Sequence, residues 1–112
     1  MNNLIITIFK KEFITNEISL LAKERKLNTK ALENIRDLNK VDIKRKIIVL
    51  EISVNDEIKE LEKIIKGYVT EIILVLNKKE IELKPTNSFR TIRIPFRVED
   101  LFTHINKAFK SY

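Results

Sequence analysis

Short apolar runs alternate along the chain with longer stretches of helical period. Leu4-Ile-Ile-Thr-Ile-Phe9 is almost wholly apolar and rich in β-branched residues, which predicts a strand over 4–9. Ile18, Leu21, Ala22 and Leu27 follow with a helical spacing, so a helix is expected there, capped by Thr15 or Asn16. Residues 27–31 predict a weak strand. The stretch 31–40 then reads as a short helix with Ala31, Leu32, Ile35 and Leu38 on one side. The central strand is predicted over 46–53. Its core is Ile47-Ile-Val-Leu50, a run too short for a helix and apolar enough to be covered on both faces.

Glu51 is expected where that strand gives out. Asp56-Glu57 lead into a helix carrying Ile58, Leu61, Ile64 and Ile65, with Gly67 as the residue that ends it. Residues 71–76 form a second strand of the buried type. Residues 80–90 alternate and contain Pro85, which predicts an exposed strand or extended loop and forbids a helix. A short strand over 91–94 and a helix with Val98, Leu101, Phe102, Ile105 and Phe109 on one face complete the chain. Strands alternating with helices imply a parallel sheet with helices on both faces. The expectation is an α/β domain over 1–112, doubly wound, with about five strands and its last helix across the sheet edge.

Composition narrows the chemistry. At 112 residues there is material for one core, and 44% hydrophobic with 34% charged residues is the balance of a soluble globular domain. There is no cysteine, so thiolate metal sites and thiol nucleophiles are excluded. This composition suits a reducing cytoplasm. One glycine leaves no phosphate-binding or dinucleotide-binding loop. No apolar run has the length of a membrane span.

Net charge is +6, unevenly spread: residues 1–46 hold 11 Lys/Arg against 6 Asp/Glu, and residues 47–112 hold 11 against 10. The basic first half, with Lys23, Arg25, Lys26, Lys30, Lys44, Arg45 and Lys46, makes nucleic-acid binding the alternative function. No helix-turn-helix or RNA-binding signature accompanies these cations.

Two stretches resemble response-regulator receiver domains of the CheY-like, flavodoxin-like kind. Ile47-Ile-Val-Leu-Glu-Ile52 is similar to the strand that leads to the phosphoacceptor Asp. Ile94-Pro-Phe-Arg-Val-Glu-Asp-Leu101 is similar to the family's Lys-Pro-Phe segment and the helix start after it. The resemblance implies a doubly wound parallel sheet, and the stretch containing Pro85 implies a fourth helix that is shortened or missing.

The departures from the family pattern define a degenerate phosphoacceptor pocket. Glu51 stands at the phosphoacceptor position. Phe9 and Lys10 stand where an acidic pair would hold Mg²⁺. Asn77 stands near the family's hydroxyl residue, and Ile94 in place of its lysine. Phosphoryl transfer needs a metal and a cation to neutralise developing charge. One Glu beside a Lys is a poor magnesium site. An ion pair between Glu51 and Lys10 is expected to take the metal's place. Glu51 then has two readings: a fixed, active-like stand-in for a phosphorylated residue, or a rim carboxylate satisfied by Lys10 or water.

The resemblance implies a pseudo-receiver with no reaction, no cofactor and no metal, acting in bacterial signalling or transcriptional control by binding another protein or a second copy of itself. Phe89, Arg90, Arg93, Arg97 and His104 are the candidate interface on the last strand and last helix. An aromatic flanked by Arg makes a good anchor if exposed. Packing under the loop is the competing reading for Phe89. His104, the only histidine, lacks the partner that a ligand or general base requires.

Overall fold

Strand β1 (Leu4–Ile8) lies between β2 (Asn28–Leu32) and β3 (Ile47–Ile52), parallel to both. The register sets Ile5 beside Ile47 and Ile8 beside Leu50. Strand β4 (Glu71–Leu76) adds to β3, and β5 (Arg90–Arg93) adds to β4, again parallel. The sheet order is β2-β1-β3-β4-β5. The structure is a computed structural model that describes residues 4–43, 46–66, 71–78, 81, 89–93 and 96–109.

Successive side chains of a strand point to opposite faces, so each apolar run divides between two cores. Ile6, Ile8, Ile48, Leu50, Ile52, Ile72, Leu74 and Leu76 form one core. Ile58 and Leu61 of α2 (Asn55–Ile65) cover it, with Ile35 and Leu38 of a 3-10 helix (Ile35–Lys40). Ile5, Ile47, Val49, Ile73 and Val75 form the other. Ile18 and Ala22 of α1 (Glu12–Glu24) close it, with Leu101, Phe102, Ile105 and Ala108 of α3 (Val98–Phe109). All of β3 is buried. Each fully buried Ile or Leu contributes about 1.5–3 kcal/mol, which makes the middle strands the stable centre of the sheet.

The doubly wound parallel sheet predicted from the alternation is therefore present. Several boundaries differ. Helix α1 starts at Glu12, directly after the β1 turn, and Thr15 and Asn16 lie inside it. Lys11 is its N-cap in an extended conformation, with no side-chain cap bond, and Glu12 in the first turn suits the helix dipole. Ala31 and Leu32 belong to β2, because pairing with Thr7 and Ile8 extends the strand. The segment after them is a 3-10 turn, with the Asn34 amide donating to Asp37 Oδ2 at 3.2 Å.

Helix α3 lies over β3 and β4, in the middle of the sheet, and not across the edge. Leu101, Phe102, Ile105 and Ala108 are all fully buried, and only the sheet's centre offers enough apolar surface to cover them. Gly67, Pro85 and the stretch where a fourth helix would fall are outside the described residues, except for Ile81, which is buried.

Candidate functional site

At the carboxyl edge of a parallel sheet the strands end and the helices begin. The order β2-β1-β3 makes the gap between β1 and β3 the point where the chain's winding reverses, the usual place for function in open α/β sheets. Lys10 follows β1 there, and Glu51 sits one residue short of the end of β3.

Glu51 is inside the strand, paired in register with Val75, and only 7% exposed. The expectation that it marks the end of the strand is corrected: Ile52 still pairs with Leu76. Its carboxylate accepts two hydrogen bonds. The Lys10 backbone N–H donates to Oε1 at 3.1 Å, and Asn77 Nδ2 donates to Oε2 at 2.6 Å. Asn77 follows β4 directly, and its own backbone N–H donates to the Ile52 carbonyl at 3.1 Å, so the position of its side chain is set by the sheet ladder.

The expected ion pair between Glu51 and the Lys10 side chain is replaced by a different arrangement. Lys10 meets Glu51 through its backbone amide, while its ammonium donates to Ser53 Oγ and stands 3.7 Å from Glu57 Oε1. The ammonium is held instead by the Ser53 hydroxyl and the nearby Glu57 carboxylate, on the α2 side of the network. Ser53 Oγ also accepts from Asn77 Nδ2 at 2.7 Å. Lys10, Glu51, Ser53, Glu57 and Asn77 are thus one connected network across β1, β3, β4 and α2.

Ser53 and Glu57 are the residues that sequence reasoning missed. Two signals were available. Ser53 is two positions beyond Glu51 and so falls on the same side of the extended chain. Glu57 is three positions beyond Val54, the spacing at which a carboxylate reaches back to a helix start. It does so here, accepting from the Ser53 and Val54 backbone amides at 2.8 and 3.1 Å.

Phe9, expected in the same pocket, packs into the core beneath α1 and α3 and also lines the cleft beside Lys10 and Glu51. Ile94 lies outside the described residues. Beside the network opens a cleft of about 650 Å³, walled by Ile8, Lys10, Glu33, Asp37, Glu51 and Glu60 among others. Two ion pairs lie in its wall, Lys10 with Glu57 at 3.7 Å and Arg36 with Glu60 at 2.9 Å.

The residues of the candidate interface lie in different settings. Phe89 is half-buried and packs against the core layer that α2 covers, so it is not a projecting anchor. Arg90 stands 3.6 Å from Glu71. The Arg93 guanidinium donates to the carbonyls of Ile81 and Lys78, at 3.1 and 3.4 Å. Arg97 is exposed, and its backbone amide donates to Asp100 Oδ2 at 3.4 Å at the start of α3. His104 is half-buried on α3.

No protein-family model matches the sequence, and no curated protein matches it. Solved structures do. A CheY-like response regulator receiver domain from Methanospirillum hungatei JF-1 superposes with a TM-score of 0.72 at 14% identity, over 98% of this chain and 97% of that one. The beryllofluoride-activated NtrC4 receiver domain dimer gives 0.71 at 18% identity, over 98% of both chains. A structure described as adenylate cyclase from Rhodopirellula baltica gives 0.73 at 14% identity, over all of this chain and 90% of that one. With so much of that chain covered, what matches is a domain of this size. The chain has the receiver-domain fold.

Receiver domains imply a magnesium ion at this edge, and the donor set does not fit one. Magnesium takes oxygen ligands in a near-octahedral shell. Here both Glu51 oxygens accept protein N–H groups, Glu57 is committed to two backbone amides, and a lysine ammonium stands beside them. Among the described residues no three His, Cys, Asp or Glu side chains converge as a metal site. No described helix is long and apolar enough to cross a membrane.

Proposed function

We propose that this chain is a pseudo-receiver: a cytoplasmic, phosphorylation-independent module that binds another protein in bacterial signalling or transcriptional regulation and carries out no reaction of its own. The observation that carries the reading is the Glu51 carboxylate held between the Lys10 amide and Asn77 Nδ2. A phosphoacceptor must present a free oxygen to the incoming phosphorus, with a metal to neutralise the transferring group. Both Glu51 oxygens are instead hydrogen-bonded to protein N–H groups, and among the described residues no set of acidic side chains stands ready to hold a metal. The two Glu51 bonds tie the ends of β1, β3 and β4 into one arrangement, the work that a phosphoryl group and its metal would otherwise do transiently.

A scaffold held in one state serves as a binding surface. A second copy of the chain, meeting it through β5 and α3, is the partner most in keeping with the dimer described for the NtrC4 receiver domain. The test is amide NMR of the labelled protein with Mg²⁺ and either acetyl phosphate or beryllofluoride. The spectrum is expected to stay unchanged at Lys10, Glu51, Ser53 and Asn77. Saturable shifts confined to those residues would overturn the proposal. Sedimentation equilibrium reports self-association independently.

A further inference from the structure

A basic turn sits at the opposite edge of the sheet, where strands begin and helices end. Helix α1 closes with Lys23, Arg25 and Lys26, all exposed, against the single carboxylate of Glu24. Helices α2 and α3 run to the same edge and bring exposed Lys63, Lys66 and Lys107 to it. Cations at helix C-termini complement the dipole. Two details of α1 go further.

Lys26 has φ of +60°. Its amide donates to the Lys23 carbonyl at 3.0 Å, and the Leu27 amide donates to the Ala22 carbonyl at 2.8 Å. This is the wrap that ends helices on a left-handed residue, a place that favours glycine because a Cβ is strained there. A lysine holds the position, with its side chain in solvent.

The Arg25 guanidinium lies 4.9 Å from the centroid of the Phe102 ring, which is fully buried in α3. A rigid aromatic thereby orients an exposed cation in advance of any partner.

We infer that the α1 C-terminal turn, Lys23, Arg25 and Lys26, is a contact surface for the phosphate backbone of duplex nucleic acid, with sequence-independent affinity. Three exposed cations within four residues, with Glu24 the one acid among them, match the closely spaced charges of a continuous polyanion. A membrane surface would require apolar side chains beside the cations. Among the described residues Leu20, a turn back along α1, is the one large exposed apolar side chain near these cations, since Phe13 and Val54 lie at the far edge, and a single leucine is not an apolar face. This inference is independent of the pseudo-receiver reading, since it concerns the other end of the molecule.

The experiment is fluorescence anisotropy of a labelled, mixed-sequence DNA duplex titrated with the full chain, between about 50 and 200 mM salt. Binding is expected to weaken with salt, and removing three phosphate contacts lowers the slope of log K against log salt by about 2.7. The triple variant Lys23→Gln, Arg25→Gln, Lys26→Gln is expected to lose at least tenfold in affinity at low salt. Lys26→Gly alone is expected to lower the slope by about 0.9 while Tm holds or rises, because glycine relieves the strained turn. The double variant Lys11→Gln, Lys78→Gln at the far edge is expected to bind within twofold of wild type.

Three results would each overturn the inference: no binding at the lowest salt, an equal loss in the far-edge variant, or Lys26→Gly binding as wild type. Phosphatidylcholine–phosphatidylserine vesicles are the parallel probe. Binding to them but not to duplex would assign the turn to a membrane surface and reject the nucleic-acid reading.

Discussion

Asn77 Nδ2 donates to Glu51 Oε2 at 2.6 Å and to Ser53 Oγ at 2.7 Å, so one amide group joins the end of β4 to two positions of β3. Removing it leaves a 7% exposed carboxylate with a single donor. Loss of one partner from a buried charged acceptor costs about 1–3 kcal/mol. Asn77→Ala is therefore expected to destabilise by that amount, read as a lowered midpoint in urea. An unchanged midpoint would mean that the network contributes nothing to folding. Glu51→Gln is expected to cost about 1–2 kcal/mol for a related reason, since an amide cannot accept through both of its terminal atoms.

Glu57 caps the entry to α2 by accepting from two backbone amides. Substitution of a capping side chain costs about 0.5–2 kcal/mol. Glu57→Ala is expected to fall in that range and to raise hydrogen exchange at Ser53 and Val54 before other sites. Uniform change across the protein would refute a local capping role.

Thr7 supplies the opposite case. Its hydroxyl is buried without a hydrogen-bond partner, on the face of β1 that packs beneath α1 and α3. Replacing an unpaired buried hydroxyl by a methyl group of similar shape removes a desolvation penalty. Thr7→Val is expected to stabilise by about 1 kcal/mol, which thermal unfolding would register as a rise in Tm. A decrease would show that the hydroxyl is satisfied in solution.

Phe89 packs from the side against the core under α2, with part of its ring exposed. Full removal of a buried Phe costs about 3–5 kcal/mol. A half-buried ring should cost about half of that. Phe89→Ala is expected to lower stability by about 2 kcal/mol in chemical denaturation. A variant as stable as wild type would return Phe89 to the role of a surface anchor.

The strands were legible because burial on both faces of a parallel sheet leaves a blunt mark. Ile47–Leu50 and Ile72–Leu76 read as covered strands and are covered strands. The α3 stripe from Val98 to Phe109 read equally well, because its period matches the face it buries. The start of α1 did not: Thr15 and Asn16 look like caps, yet the β1 turn sets the helix running at Glu12. Capping preference is worth about 1 kcal/mol, and chain connectivity at a sheet edge overrides it.

The amino-acid order determined the alternation of strand and helix, the two cores and the presence of a lone Glu where β3 approaches its end. Those features follow from local period and side-chain type, which are written residue by residue. Folding decided which atoms Glu51 meets. Its donors, the Lys10 amide and Asn77 Nδ2, are 41 and 26 positions away along the chain, and only the β1–β3–β4 register brings them within bonding distance. The route of the Lys10 ammonium to Ser53 and Glu57 had to wait for that register too, because hydrogen bonds act over about 3 Å and linear sequence carries no such distance.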